Sequence, residues 1–347
     1  MNDRRPDTMT AVLTTGHGGY ERLEFRDDVP VPRPGPHDVL IAVGAAAVNA
    51  TDINTRVGWY SQGADDTAWT GEPLHFPRIQ GIDACGRIVA VGCNVDPGRV
   101  GERVLVEPAL REPLGWAPHR ALYFGSELDG AFAGCTAVPS VHAWSVTSDM
   151  TDVELATFPC SYGTAENLLT LAEVAARSSV LVTGASGGVG SAAVQLAVAR
   201  GANVVGVAAA SKADSVLALG ATRVIGRDDN PVEALGRDSF DVVIDVVGGA
   251  GWPYLLDVLR PGGCYAVSGA IAGHDVQLDL RTLYLKDLRL LGGTIAEPAV
   301  FGALIGRIER RELAPLVAAV FPLREIVAAQ QLFESKTHVG KIVLVPD

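Results

Sequence analysis

The 347-residue sequence predicts an α/β chain in two parts, a compact β domain followed by a doubly wound parallel-sheet domain. Three observations carry that prediction. Residues 178–200 read strand, glycine loop, helix. From residue 151 onward apolar strands alternate with helical stretches, and before it short β-rich runs are punctuated by glycine and proline.

The first observation is the stretch SSVLVTGASGGVGSAAVQLAVAR. Residues 180–183 are β-rich and apolar, 184–190 hold four glycines, and Val189, Ala193, Leu196 and Ala197 recur at helical spacing. Glycines let backbone N–H groups approach a diphosphate, and a helix start offers the same anion unpaired donors and the positive end of a dipole. Against the dinucleotide pattern G-x-G-x-x-G the chain reads Ala185-x-Gly187-x-x-Gly190. A glycine loop alone also fits an ordinary tight turn, but a second apolar run at 203–208 completes a βαβ unit. A nucleotide is the expected ligand, with Ser186, Gly187, Gly188 and Val189 against its phosphates. Gly-x-x-x-x-Gly-Lys is absent here, which excludes a P-loop.

The second run indicates which nucleotide. An enzyme for NAD places an acidic residue about 20 residues beyond the glycines to accept the ribose hydroxyls, and none occurs from Ser191 to Ala213. Ser211 and Lys212 stand there instead, and Arg227 follows the next run at 223–225. A hydroxyl and two cations suit a 2′-phosphate, so NADP(H) is expected over NAD(H). The plainer reading of Lys212 is a solvated lysine at a helix start.

Before the loop, residues 10–14 and 23–26 read as strands around a glycine turn, 31–36 is a proline-rich connection, and 39–47 is a longer strand. That strand delivers the chain to a polar cluster, Asn49, Thr51, Asp52 and Asn54, followed by Arg56, Gly58, Trp59 and Tyr60. Polar groups at a strand end are site candidates, and Asn and Asp are equally common turn residues. Residues 79–91 and 103–106 continue the β pattern, 108–129 is a long irregular loop, and 130–138 and 143–146 return to strand. After a helix-start pattern at 151–154, helices are expected at 154–158, 164–176, 214–219 and 254–259, and strands at 223–225, 240–247 and 264–268. Helices at 299–311 and 324–334 and a strand at 341–345 close the chain and are expected to return to the first domain.

Composition bounds the rest. A net charge of −12 argues against nucleic acid or an anionic membrane as partner. No apolar run follows Arg4 and Arg5, and no stretch of about 18 apolar residues occurs, so a cytoplasmic protein is expected. Five widely spread cysteines suit reduced thiols, and the absence of Cys-x-x-Cys argues against a closed structural zinc site.

Taken together these residues resemble the medium-chain dehydrogenase/reductase superfamily over nearly the whole chain. The likeness rests on GIDACGRIV at 81–89, the GASGGVG loop, DVVIDVVGG at 241–249, RPGG at 260–263 and VGKIV at 339–343. It implies a GroES-like β catalytic domain (residues 1–155 and 295–347), an inserted Rossmann domain (156–294), a cleft between them, and a homodimer or homotetramer pairing through Rossmann edge strands. Zinc-dependent members hold the metal with Cys, His and Cys plus a nearby Glu. Here the matching positions are Asn49, Ile82, Cys160 and Asp83, and a catalytic zinc needs about three protein ligands. The departure resembles the zinc-free branch of quinone oxidoreductases and 2-enoyl thioester reductases, so no metal is expected.

By that resemblance Tyr60 becomes the candidate proton donor or carbonyl polariser, with a cleft-closing lid residue as its plainer reading, and Asn49 and Thr164 line the nicotinamide. Ala270 and Ile271 lie at the same end of the cofactor, Val247 is a further cofactor-binding residue, and Lys341 touches the diphosphate. The small-molecule substrate is then a quinone, an enone or another carbonyl compound, and the pair Trp59 and Trp69 fits a flat acceptor or simple surface packing. Two alternatives stand beside this reading. One is an alcohol dehydrogenase or carbonyl reductase in which Asp52, His75 or Asp83 supplements Cys160 at an atypical metal site. The other is a protein that binds NADPH without turnover.

Overall fold

The computed structural model describes residues 6–61, 74–117 and 119–347. These form two units, Met1–Cys160 with Pro315–Asp347, and Ser161–Ala314. Among the described residues no helix is long and apolar enough to cross a membrane.

The second unit is built on six parallel strands, in the spatial order Arg223–Gly226, Asn203–Ala208, Ser179–Val182, Phe240–Asp245, Leu259–Val267, Arg289–Gly292. Numbered along the chain from Ser179–Val182 this is 3-2-1-4-5-6, the doubly wound order. Strands covered on both faces need apolar residues throughout, and Leu181, Val243, Leu256, Leu259 and Tyr265 fill one face of this sheet. Helix Gly188–Ala199 buries Gly190 through Ala197. Gly190 has to be glycine, because a Cβ there would overlap the carbonyl oxygen of Gly184.

The chain leaves this unit later than the sequence pattern predicts. Helix Pro298–Glu309, expected in the first domain, belongs to the second unit. The reason is electrostatic: the buried Glu166 carboxylate takes Arg200 at 2.8 Å and Arg307 of that helix at 3.6 Å. Gln195 then brackets the end of the segment, accepting from Ala314 N at 2.9 Å and donating to Ala314 O at 3.2 Å. The entry point also differs, since it falls inside helix Pro159–Leu171.

In the first unit strand Asp38–Ala47 is the spine. One edge pairs antiparallel with Cys85–Val91; the other pairs first with Cys135–Pro139 and then, at Ala46 and Ala47, with Leu344 and Val343 of strand Lys341–Val345. The amide of Val48 donates to Ile342 O at 2.9 Å, and that register sets Lys341 opposite Asn49. Val39, Ile41, Val43, Ile88, Val104, Ile342 and Leu344 pack with Phe124 and Phe132 into the core. Each such side chain contributes roughly 1.5–3 kcal/mol of burial.

The strand expected over 79–91 is broken. Arg78–Ile79 joins a small antiparallel sheet with Thr8–Thr14 and Leu23–Pro30, while Cys85–Val91 joins the large one. Gly81, at φ +101°, makes the break possible, because a Cβ there would lie 2.6 Å from the Phe132 ring.

The polar cluster after the spine is a helix, Ala50–Arg56, and not a turn. Its buried Asp52 clamps the helix start to the broken strand: Oδ2 accepts from Asn49 N at 2.7 Å, and Oδ1 accepts from Gly81 N and Ile82 N at 3.2 Å each. Loss of hydration pushes the Asp52 carboxyl up to about 7; the Asp83 charge adds to the rise, and the N–H groups and Lys341 oppose it. A carboxyl raised on folding contributes stability that is present below its unfolded pKa and is lost as pH rises through the folded value. The stability difference between wild type and Asp52→Asn is therefore expected to fall between about pH 4 and 7, by at most about 1.4 kcal/mol per pH unit, and to level off above. Urea denaturation of both proteins across that range measures it, and a difference independent of pH would contradict the assignment.

Candidate functional site

In the second unit the expected cofactor residues gather at the carboxyl ends of the parallel strands. Strand Ser179–Val182 runs into the glycine loop, and Gly187 caps helix Gly188–Ala199 with no side-chain cap of its own. The first N–H groups of that helix, from Gly188, Val189 and Gly190, lack carbonyl partners within it and form an anion-binding end beside Ser186. The close approach of Gly190 to Gly184 keeps that backbone open to a diphosphate.

At the end of strand Asn203–Ala208 stand Ser211 and Lys212, and Arg227 N donates to Ala208 O at 3.1 Å. Burial, and then the charge of Arg227, pull the Lys212 ammonium below its ordinary range. Two cations are thus held close enough to repel each other. Arg227 also meets Asp228 at 3.6 Å, but both are exposed, and such a pair is worth little.

The structure adds a residue that pattern reading passes over. Asp245, fully buried at the end of strand Phe240–Asp245, accepts from Val247 N at 2.9 Å, Gly248 N at 3.2 Å, Thr183 Oγ1 at 2.5 Å and Tyr265 OH at 2.6 Å. It therefore shapes the turn carrying Val247. Ala272 N donates to Val247 O at 2.9 Å and Gly249 N to Gly273 O at 3.0 Å, which ties that turn to the loop bearing Ala270 and the exposed Ile271. Only the aspartate at the end of the apolar run 240–247 marks this in the sequence. Thr164 is half-buried on helix Pro159–Leu171.

In the first unit Asn49 and Asp83, two of the positions matched above to metal ligands, form a buried network with Lys341 and the backbone of Cys160. Asp83 is fully buried; its Oδ1 accepts from Cys160 N at 2.6 Å, and its Oδ2 accepts from Asn49 Nδ2 at 2.7 Å and faces the Lys341 ammonium at 3.0 Å. Lys341 Nζ also donates to Asn49 Oδ1, and Asn49 Nδ2 to Ala47 O at 3.1 Å. Gln80 donates to Asp52 O at 2.8 Å and accepts from Thr14 Oγ1 at 2.8 Å.

Two of the expected site residues have partners of their own in this network. Lys341, expected on a diphosphate, is 4% exposed and is drawn inward by the carboxylate of Asp83. Asn49, expected beside the nicotinamide, has both ends of its amide committed within the network.

These residues do not fit a catalytic zinc. Ile82 has no donor atom, and the Asn49 and Asp83 oxygens are given to an ammonium. Among the described residues no group of three or more His, Cys, Asp or Glu side chains is placed to hold a metal, and His75 is exposed.

Tyr60 follows helix Ala50–Arg56 through Gly58, at φ +74°, where a Cβ would lie 3.2 Å from the His17 ring. Asn54 Nδ2 donates to the Tyr60 hydroxyl at 3.3 Å, and Trp59 meets the Tyr60 ring edge-on at 5.0 Å. Burial pushes the phenol up, while hydrogen bonds with Thr51 and Asn54 pull it back. Its hydroxyl therefore stays protonated at neutral pH and can act as a donor. Trp69, paired with Trp59 in the sequence reading, lies outside the described residues.

Comparison with known proteins places the chain. Residues 35–148 match the family model described as the alcohol dehydrogenase GroES-like domain, and 188–310 match that of the zinc-binding dehydrogenases. An acryloyl-coenzyme A reductase of Metallosphaera sedula is 31% identical over 97% of this chain and 99% of its own length. A quinone oxidoreductase of Homo sapiens is 28% identical over 97% and 98%. A solved structure from Sinorhizobium meliloti 1021, provisionally assigned as an alcohol dehydrogenase, is 47% identical, with a TM-score of 0.93 over 99% of this chain and 98% of that one. With both units matched, the chain belongs to the medium-chain dehydrogenase/reductase superfamily, whose dehydrogenases are nicotinamide-dependent oxidoreductases.

Proposed function

We propose that the protein is an NADPH-dependent reductase that passes a hydride to a quinone or an α,β-unsaturated carbonyl compound, enoyl thioesters included, without catalytic zinc. The observation that carries the reading is the buried network of Asn49, Asp83 and Lys341 where zinc-dependent relatives hold metal. The names of two relatives, an acryloyl-coenzyme A reductase and a quinone oxidoreductase, support the same acceptor class. The Lys212 and Arg227 pair supports NADPH.

When bound, reduced nicotinamide supplies the hydride. The chain's residues bind and orient. Ser186, Gly187, Gly188 and Val189 offer backbone donors to the diphosphate, Ser211, Lys212 and Arg227 take the 2′-phosphate, and Thr164, Val247, Ala270 and Ile271 flank the nicotinamide. As negative charge grows on the acceptor oxygen, a metal-free site needs a hydrogen-bond donor there, and the neutral Tyr60 hydroxyl is that donor. Asn49 and Lys341 act behind it, holding the helix start.

The proposal includes a homodimer or homotetramer, supported by the edge strand Arg289–Gly292 and by the exposed Ile271, Leu280, Tyr284 and Leu285 near it in the chain. It also includes a cytoplasmic location, supported by five free cysteines.

Two experiments test the assignment. Lys212→Ala with Arg227→Ala is expected to raise KM for NADPH about tenfold or more and to leave NADH unaffected, because charge-assisted bonds are worth about 1.5–3 kcal/mol; equal effects on both cofactors would remove the 2′-phosphate assignment. Tyr60→Phe is expected to lower kcat about a hundredfold with KM for NADPH unchanged, and an unchanged kcat would return Tyr60 to a lid role.

A further inference from the structure

We infer that Asn54 is a positioning residue for the reduction, one that aims the hydroxyl proton of Tyr60 away from helix Ala50–Arg56 and toward the acceptor oxygen. The inference rests on the donor role given to Tyr60 and names the side chain that fixes the direction of that donor.

Backbone geometry brings the two residues together. Helix Ala50–Arg56 ends in a left-handed turn, in which Gly58, at φ +74°, donates its N–H to Thr55 O at 3.2 Å and Trp59 N donates to Asn54 O at 2.9 Å. These two bonds fold the chain back over the helix end, and Tyr60 returns to the side chain of Asn54, six positions earlier. The main chain of Asn54 thus holds the turn, and its side chain reaches the hydroxyl that the turn presents.

Side-chain chemistry then decides which way the proton points. An amide nitrogen donates and cannot accept, so Asn54 Nδ2, 3.3 Å from the phenol oxygen, occupies a lone pair of that oxygen. The Thr51 hydroxyl, one turn earlier on the same helix, bonds the phenol in the sense that favours its ionised form, which is that of a donor. The oxygen is engaged from the helix side, and its own O–H is directed elsewhere. Both bonds draw the phenol back from the rise that burial causes, which makes it a stronger donor to developing charge.

The test compares kcat for oxidation of NADPH by 2-cyclohexenone and by 1,4-naphthoquinone in two variants that keep the size of residue 54. Asn54→Leu removes the donor and is expected to lower kcat about tenfold with KM for NADPH unchanged. Asn54→Asp puts an ionised acceptor in its place, turns the proton back to the helix, and is expected to lower kcat about as far as Tyr60→Phe does. In the Tyr60→Phe background neither change is expected to alter kcat by more than about twofold, because the group they act through is gone. A role in packing alone would carry the same loss into both backgrounds.

Losses that add independently to that of Tyr60→Phe, or a kcat in Asn54→Asp at or above that of Asn54→Leu, would overturn the proposal. If Asn54→Leu does not fold, Asn54→Asp carries the comparison with Tyr60→Phe, and failure of both to fold would show a structural residue and overturn it too. The two levels of failure are distinguishable. Tyr60→Phe as fast as wild type, or no oxidation of NADPH by wild type with either acceptor, defeats the donor role and this proposal with it. Full activity of Asn54→Leu beside a slow Tyr60→Phe defeats only the role given to Asn54.

Discussion

The arrangement of the first unit depends on one constraint, a fully buried carboxylate that has to be neutralised. Asp83 meets it with the Lys341 ammonium, the Asn49 amide and the Cys160 N–H, drawn from three separate parts of the chain. A buried pair of this kind adds little net stability over an apolar substitute, but breaking it by removing one partner costs about 3–5 kcal/mol. Its effect is therefore to specify: the end of the spine strand, the last strand and the backbone at Cys160 can take only one mutual position. Asp52 extends the same logic to Asn49, Gly81 and Ile82, so the segment that ends at Tyr60 begins on a fixed base.

In the proposed function the second unit solves a different problem, that of presenting backbone donors to an anion. Parallel strands all point their carboxyl ends the same way, and the loops that follow them collect at one edge. The glycine loop supplies donors by lacking side chains; the Val247 turn is shaped instead by a buried side chain, Asp245, with Thr183 and Tyr265 around it. Both devices hold backbone still in advance, which is what orienting a cofactor requires.

Much of this was legible in the chain because its signals are local. The glycine loop, the βα alternation and the strands 39–47, 103–106, 203–208 and 341–345 are written in contiguous residues, and the superfamily follows from them. Helix Ala50–Arg56 was hidden, since ATDINTR carries a single large apolar residue and no stripe. What holds it is tertiary: buried Arg56 donates to Gln330 at 3.0 Å and to Gly18 O at 2.8 Å, beneath the Tyr20 ring. The partners of Lys341 were hidden for a related reason. Its partner Asn49 lies 292 positions away, and only strand register reveals that the ammonium points inward. Helix Pro298–Glu309 was assigned to the wrong unit because its pattern shows an apolar face but not which Glu166 its Arg307 will find.

The most direct test of the account is oxidation of NADPH, with NADH alongside, by the purified protein over a panel of quinones, enones and simple ketones, with and without a chelator. The account predicts turnover with conjugated acceptors, preference for NADPH and no effect of chelation. Activity lost on chelation, or confined to ketones and alcohols, would contradict it and restore metal-dependent alcohol chemistry to this chain.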